Sequence, residues 1–319
     1  TGNFYTTIQI NNMDIQKIKG LIAAPFTPMN EDGSINTGII PDYAAKLKKD
    51  QLSGVFICGT TGEGMLMTPD ERMEVAEKWM PEQTKDFKVI VHVGTTSGKQ
   101  SQKLAKHAEE NGAYAVGSMG PLFLPPSGVD ELVGFCAEVA TGSPNIPFYY
   151  YHIPSVSGVK ISMVEFIQKA KDSIPNLTGI KFTDNNFMDM QQCLELDNGK
   201  WDILHGYDEL LLAGLAFGAK GAVGSTYNFI AQLYYGVMKD FEKGNLDAAR
   251  EKQSITIQVV EILNKYGGAI PAGKAFMKQA GVDCGPSRLP IKNLNGMNYK
   301  NFVKEMESLD VFKPGKSGV

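Results

Sequence analysis

The chain has 319 residues, of which 43% are hydrophobic and 21% are charged, and its formal net charge is −4. This balance indicates a globular protein with a large core, and the mild acidity without any basic run argues against binding nucleic acid or an anionic membrane surface. No apolar stretch is long enough to span a bilayer. The four cysteines are scattered without paired spacing, which predicts free thiols in a reducing, cytoplasmic setting rather than a zinc site or a disulfide framework.

The chain is expected to divide into a central domain and two flanking segments. Residues 1–12 lack both the basic start and the apolar core of a signal peptide, so we interpret them as a leader or a cloning remnant outside the fold. We expect residues 13–243 to form a catalytic domain. Residues 244–319 are helical in pattern and are expected to form a C-terminal extension that closes with a flexible tail.

Short runs of β-branched and aromatic residues recur along the chain, each followed by an amphipathic segment of helical length. Several of them, such as Val-Ile-Val-His-Val, are apolar on both faces, as parallel strands covered by helices require. We predict strands at residues 20–28, 54–59, 88–94, 113–120, 147–154, 177–183, 201–207 and 221–228.

Helix starts and ends between these strands are marked by capping residues. Thr68-Pro-Asp-Glu71 combines a cap, a proline at the first helical position and a glutamate three residues after the cap. Ser97 and Ser162 begin two further capping boxes. Gly112 and Gly218 fall where a helix should end in a left-handed residue.

The strand–helix unit repeats about every 25–35 residues, which is the spacing of a βα unit. A doubly wound open sheet is the alternative, but that fold usually carries a glycine-rich dinucleotide loop after its first strand. Here the first strand ends in Ala-Pro-Phe-Thr-Pro. We therefore predict an α/β protein, a (β/α)₈ TIM barrel with a C-terminal helical extension.

The carboxyl ends of the strands are where reactive groups gather in such a barrel. The second predicted strand ends in Cys58-Gly-Thr-Thr-Gly-Glu63, where two hydroxyls and several backbone N–H groups form a cradle suited to a carboxylate. Turns of glycine and threonine are also common without any function. The segment by itself leaves both interpretations open.

The fifth predicted strand carries three consecutive tyrosines. Alternation places Tyr149 and Tyr151 on one face and Tyr150 on the other. A phenol that faces the barrel interior can relay protons, although aromatic core packing explains the same pattern. Tyr150 is expected to contribute only to aromatic core packing.

The sixth predicted strand contains Lys181 in the segment Gly-Ile-Lys-Phe-Thr. An ammonium group between apolar neighbours is costly without water or a partner, and a desolvated amine is a nucleophile towards carbonyls. The alternative is a lysine that points outwards between helices and extends its amine to water.

The last two strands end in polar segments. Asp208 and Glu209, with Ser225, are suited to holding a polyhydroxylated substrate, or the two acids lie in a first helical turn, where the dipole favours them. The histidines are spread singly without metal spacing and are expected to be structural. They are His92, His107, His152 and His205.

Together these segments resemble the dihydrodipicolinate synthase/N-acetylneuraminate lyase family of pyruvate-dependent class I aldolases, from about Lys19 to about Leu309. Gly-Thr-Thr-Gly-Glu, Tyr-x-x-Pro and Gly-Ile-Lys occur in the family's order. The segments most similar to the N-acetylneuraminate lyases of that family are Tyr-Tyr-Tyr-His-Ile-Pro, Gly-Ile-Lys-Phe-Thr, Gly-Tyr-Asp-Glu and Gly-Ala-Val-Gly-Ser-Thr-Tyr-Asn.

The resemblance implies roles for individual residues. Lys181 would form the Schiff base, Tyr151 would be the catalytic phenol, and Thr60 and Thr61 would hold the carboxylate of the pyruvate part. The positions that would contact the sugar part are Thr183, Gly206, Asp208, Glu209 and Ser225. The implied reaction cleaves N-acetylneuraminate to N-acetylmannosamine and pyruvate without metal or organic cofactor, in a cytoplasmic homotetramer.

Two departures from the family pattern bear on this expectation. Val156 stands where dihydrodipicolinate synthases carry an arginine, which argues against that activity. Phe123 stands where many members carry a tyrosine that reaches a neighbouring subunit's site, so that relay is absent or replaced. Two alternatives are an aldolase for a 2-keto-3-deoxy sugar acid and a sugar-acid-binding or regulatory protein without turnover, although both Lys181 and Tyr151 are retained.

Overall fold

The computed structural model describes residues 16–309, and within them eight strands alternate with helices. The strands are β1 (Gly20–Ala23), β2 (Gly54–Ile57), β3 (Lys88–His92), β4 (Ala115–Ser118), β5 (Phe148–His152), β6 (Leu177–Phe182), β7 (Asp202–His205) and β8 (Gly221–Gly224). The helices are α1 (Ile40–Lys49), α2 (Pro69–Trp79), α3 (Gly98–Glu110), α4 (Val129–Ala140), α5 (Pro154–Ser157), α6 (Met163–Ala170), α7 (Phe187–Gly199), α8 (Leu211–Ala216), α9 (Tyr227–Glu242), α10 (Leu246–Lys265), α11 (Ala269–Gln279) and α12 (Gly296–Ser308).

The strands close into a barrel in chain order. Each strand pairs in parallel with the next, and β1 pairs in parallel with β8, with Ile22 opposite Val223. Such closure leaves no free edge and rules out the open doubly wound sheet. The predicted (β/α)₈ barrel is confirmed, and helices α10 to α12 follow it as the predicted C-terminal helices.

Most strands are shorter than predicted, mainly at their carboxyl ends. The second strand stops at Ile57 rather than at Gly59, and the eighth stops at Gly224, four residues before the predicted end. Ladder hydrogen bonds end at these points, because the chain leaves the sheet to begin its turns. Most of the residues lost from the strands therefore lie in turns at the carboxyl end of the barrel, while Pro154 begins α5 and Tyr227 and Asn228 begin α9.

The predicted helix caps are present. Thr68 and Glu71 form a capping box with Pro69 at the start of α2. Ser97 and Ser162 cap α3 and α6 by accepting a bond from the backbone N–H three residues later. In the described structure no reciprocal side-chain bond completes a capping box at either helix, so each is a single cap. Gly112 and Gly218 have φ angles of 82° and 105°, so both adopt the left-handed conformation that ends a helix.

The buried apolar residues form two clusters, one inside the barrel and a larger one outside the strands. The inner cluster takes side chains from every strand except β6 and includes Phe56, Tyr149 and Tyr151. Residues from so many strands can touch one another only inside the barrel. Tyr150 points the opposite way and packs on Phe166 of α6, 4.7 Å between ring centroids, which confirms its expected packing role.

The remaining predictions concern the cysteines, membrane-spanning helices and the two ends of the chain. All four cysteines are buried free thiols, as expected. Within the described residues no helix combines the length and apolarity needed to cross a membrane. The predictions for residues 1–12 and for the tail after residue 309 lie outside the described residues, and the division at residue 243 stays a prediction.

Candidate active site

Lys181 extends from β6 into the barrel interior. Its side chain is 5% exposed, and Nζ lies 3.6 Å from the ring centroid of Tyr151 and 4.6 Å from that of Phe56. Among the described residues, no carboxylate forms an ion pair with this amine. The alternative of a lysine extended outwards between helices is therefore wrong, and the amine is available to attack a carbonyl.

Tyr151 is the neighbour of Lys181 across the sheet. The two residues face each other in the β5–β6 register, and alternation on β5 places both Tyr149 and Tyr151 inside the barrel, as predicted. The hydroxyl of Tyr151 lies 3.3 Å from Oγ1 of Thr60. A phenol, a hydroxyl and an amine from three different strand ends thus meet in one place.

The turn at residues 60–63 follows β2 and is very tight. The N–H of Glu63 donates to the carbonyl of Thr60 at 3.0 Å, and Glu63 has a left-handed φ of 56°. A Cβ on Gly64 would lie 1.8 Å from the carbonyl oxygen of Cys58, so only glycine fits there. The turn presents Thr60 and Thr61 to the cavity beside Lys181.

Thr183 and Gly206 form the next part of the wall, at the ends of β6 and β7. A Cβ on Gly206 would lie 2.0 Å from Oγ1 of Thr183, so the glycine makes room for that hydroxyl. Oγ1 of Thr183 is buried and has no hydrogen-bond partner among the described residues. An unsatisfied hydroxyl at a cavity wall is suited to bind a polar substrate group.

Asp208 is already engaged within the protein. It accepts hydrogen bonds from the backbone N–H and Oγ1 of Thr226, at 2.7 and 2.6 Å, and Oγ of Ser225 lies 3.5 Å away. Burial raises the pKa of Asp208 to about 6, against the opposing effect of the Thr226 bonds, and nearby Glu209 raises it further. Asp208 therefore combines structural bonds with a place on the cavity wall.

All the predicted site residues line one cavity of about 290 Å³ at the carboxyl end of the barrel. The structure brings them together, while the role of each stays a prediction. Val156 also lines this cavity, 53% exposed, whereas Phe123 is 93% exposed and lies outside its lining. The predicted members of the lining are Thr60, Thr61, Tyr151, Lys181, Thr183, Gly206, Asp208, Glu209 and Ser225.

Sequence patterns missed some neighbours of this site. His92, interpreted as structural, faces the edge of the Tyr151 ring at 5.7 Å between centroids, and its Nδ1 donates to the carbonyl of Cys58 at 3.1 Å. Burial, reinforced by the charge of Arg72, holds the pKa of His92 well below its usual value. Asn264 of α10 lines the cavity without any local motif that marks it.

A metal site was not expected from the sequence. In residues 16–309, no group of three or more His, Cys, Asp or Glu side chains is placed to hold a metal ion. The polar groups at the site are instead an amine, hydroxyls and two carboxyl groups, which suit an organic substrate with a carboxylate and several hydroxyls.

Comparisons with known proteins agree with this geometry. The model described as the dihydrodipicolinate synthetase family matches residues 17–309. N-acetylneuraminate lyase A of Xenopus laevis is 41% identical over 300 residues, 93% of this chain and 98% of the relative. The lyase of Xenopus tropicalis is 43% identical, with the same coverage. The structure of Proteus mirabilis N-acetylneuraminate lyase matches with a TM-score of 0.90 and 38% identity, covering 92% of this chain and 99% of its own.

Proposed function

Because the chain belongs to the dihydrodipicolinate synthetase family, we propose that it is a class I aldolase that reversibly cleaves N-acetylneuraminate to N-acetylmannosamine and pyruvate. The observation that carries this proposal is the amine of Lys181, buried in the barrel without an ion-pair partner among the described residues. The names of the relatives at 41% and 43% identity supply the substrate.

Lys181 carries the chemistry in this proposal. Its amine attacks the C2 ketone of the open-chain substrate, and loss of water gives a protonated imine that draws electrons from the C3–C4 bond. Removal of the proton from the C4 hydroxyl then breaks that bond and releases N-acetylmannosamine. The enamine left behind takes a proton at C3, and water releases pyruvate from the lysine.

Tyr151 is the proton carrier that this sequence of steps requires. Its hydroxyl lies beside Thr60 at 3.3 Å, and its ring lies under the amine of Lys181. The phenol accepts the proton from the C4 hydroxyl as it passes its own proton to the substrate carboxylate, and the reverse transfer delivers a proton to C3. Thr60 and Thr61 hold the substrate carboxylate next to it.

The rest of the cavity binds the sugar part of the substrate. Thr183 offers a hydroxyl without a partner among the described residues, while Glu209 and Ser225 line the same wall as Asp208. Val156, which also lines the cavity, carries no positive charge, and this favours a polyol over a second carboxylate.

Borohydride reduction in the presence of pyruvate tests the proposal. We expect a stable adduct at Lys181 and loss of activity, with peptide mapping to distinguish Lys181 from the other lysines. An unmodified Lys181 would contradict the Schiff-base mechanism. Release of pyruvate from 2-keto-3-deoxygluconate much faster than from N-acetylneuraminate would contradict the proposed substrate.

Assembly and location belong to the same proposal. Family resemblance supports a homotetramer, and four buried free thiols support a reducing, cytoplasmic setting. Sedimentation of the purified chain tests the first point, and fractionation of the source cells tests the second.

A further inference from the structure

A buried ion pair lies behind the 60–63 turn, outside the cavity lining. Nζ of Lys274, on α11, lies 2.9 Å from Oε1 of Glu63. The two side chains are 1% and 0% exposed. The last residue of the turn is thus joined to a helix of the C-terminal extension, more than two hundred residues later in the chain.

Both partners make further bonds that fix their positions. Lys274 also donates to the carbonyl of Pro286 at 2.6 Å, and the backbone N–H of Arg288 donates to Oε2 of Glu63 at 2.8 Å. Each oxygen of the Glu63 carboxylate is therefore held by a different segment of the extension. Charge-assisted bonds of this kind restrict orientation strongly.

A contribution to folding stability does not by itself explain why this ion pair is buried. The desolvation of two buried charges offsets much of their attraction, and apolar residues of similar size often serve as well. Burial lowers the pKa of Lys274, and the Glu63 carboxylate opposes part of that effect. The pair is thus held in place at a cost in solvation.

The geometry of the turn shows what the pair controls. Glu63 has a left-handed φ of 56°, which a non-glycine residue keeps only when its surroundings enforce it. Its N–H bonds the carbonyl of Thr60 at 3.0 Å. A change in the position of Glu63 therefore moves Thr60, whose hydroxyl faces Tyr151.

We propose that Lys274 is a positioning residue for substrate binding: by holding Glu63, it sets the orientation of Thr60 and Thr61 and thereby the affinity for the carboxylate of the 2-oxo acid. The inference rests on the proposed function, because it takes the 60–63 turn as the carboxylate site. It gives the C-terminal extension a part in substrate binding, although Lys274 itself does not line the cavity.

The test compares a ketone with a carboxylate and one without it. Borohydride trapping at Lys181 is titrated with pyruvate and with hydroxyacetone in the wild type, Lys274→Met, Glu63→Gln and the double variant. We expect the half-saturating concentration of pyruvate to rise roughly tenfold in Lys274→Met and in the double variant, since small misplacements of binding groups have large effects. The half-saturating concentration of hydroxyacetone should change less than about twofold, because hydroxyacetone has no carboxylate and its affinity does not depend on the carboxylate site.

Glu63→Gln keeps the inference testable if Lys274→Met does not fold. Its amide has the shape of the carboxylate, but its single oxygen can accept from only one of the two donors, Lys274 or the N–H of Arg288. Pyruvate saturation should therefore weaken by roughly threefold to fivefold. Lys265→Met is the matched control, since it removes an ion pair with Glu305 that lies far more exposed, at 61% and 32%. For that variant, the half-saturating concentrations of both ketones should equal those of the wild type.

The outcomes separate this inference from the proposed function. A wild type that traps no pyruvate at Lys181 contradicts the proposed function. A wild type that traps pyruvate, with variants whose pyruvate saturation is unchanged and whose melting temperature alone falls, overturns the positioning role. Equal weakening for both ketones also overturns it, because the effect would then not concern the carboxylate.

Discussion

Tyr149 and Tyr151 lie two residues apart on the same face of β5, yet their hydroxyls meet opposite conditions. The hydroxyl of Tyr149 donates to Oδ2 of Asp202 at 2.8 Å near the amino-terminal end of the barrel. The hydroxyl of Tyr151 opens onto the cavity, with Thr60 as its neighbour at 3.3 Å. Residue type, strand and face are shared, so the difference comes from depth along the barrel axis.

The difference separates a structural end of the barrel from a reactive end. At the amino-terminal end, Asp202 also accepts a bond from the N–H of Ile18 at 3.0 Å, and burial with the nearby carboxylate raises the pKa of Tyr149 well above its usual value. The hydroxyl of Tyr149 is therefore engaged in a structural hydrogen bond. At the carboxyl end the polar groups face space that a substrate can enter.

The largest expected effect is that of Tyr151→Phe. Removal of the proton carrier should lower kcat for N-acetylneuraminate by about 10³-fold, within the range for general acid–base groups. The unfolding free energy should change little, because the hydroxyl opens onto the cavity and its neighbour Thr60 lies at the long distance of 3.3 Å. Steady-state kinetics check this, with pyruvate trapping at Lys181 as a test that the amine remains reactive; a kcat within tenfold of wild type would contradict it.

Asp202→Asn tests the amino-terminal end through pH. Burial raises the pKa of Asp202 from 3.8 to about 6, so the folded protein holds this proton more tightly than the unfolded chain. The stability linked to that proton is complete below pH 3.8 and is lost as the pH rises through 6. Relative to the variant, the wild type should lose roughly 2 kcal/mol of unfolding free energy between pH 4 and pH 7.

Chemical denaturation at both pH values measures this difference. The raised pKa of Asp208 is present in both proteins and cancels in the comparison. Asp247→Asn, at a side chain 92% exposed, is the control and should show no such trend. A difference that stays constant with pH would mean that burial does not raise the pKa of Asp202.

Tyr149→Phe should act on stability rather than on rate. It removes a buried hydrogen bond to Asp202, so the unfolding free energy should fall by about 1–2 kcal/mol. The kcat of the folded fraction should stay within about twofold of wild type, since this phenol takes no part in proton transfer. A loss of kcat similar to that of Tyr151→Phe would remove the distinction between the two ends.

Thr183→Val is expected to have the smallest effect. The hydroxyl has no hydrogen-bond partner among the described residues, so its removal should leave the unfolding free energy unchanged or slightly higher. The KM for N-acetylneuraminate should rise about fivefold with little change in kcat, as expected for a group that binds substrate and transition state equally. An unchanged KM would show that the hydroxyl does not contact the sugar part.

The sequence by itself determined the fold, whereas the individual site residues were expected from the resemblance to a known family. Strands that are apolar on both faces alternate with capped helices, and this alternation predicts a barrel of parallel strands. Such strands are buried on both faces and need helices to cover their outer side. Once the barrel is predicted, strand ends converge, and the residues at those ends, from Thr60 to Ser225, are found around one cavity. The barrel and the meeting of its strand ends follow from local pattern and fold geometry, whereas Thr183 and Gly206 were expected only from the family resemblance.

Only the tertiary structure decided how each group is held. No local pattern distinguishes Tyr149 from Tyr151, because their difference arises from Asp202 and Thr60, which lie on other strands. The bond between Lys274 and Glu63 likewise joins residues that are distant in the chain, and the direction of the Lys181 side chain was open until its neighbours were known. The alternation of residues along a strand determines which face of the sheet a side chain occupies. Its burial and its hydrogen-bond partners depend on residues that are distant in sequence, and burial and partners together determine its reactivity.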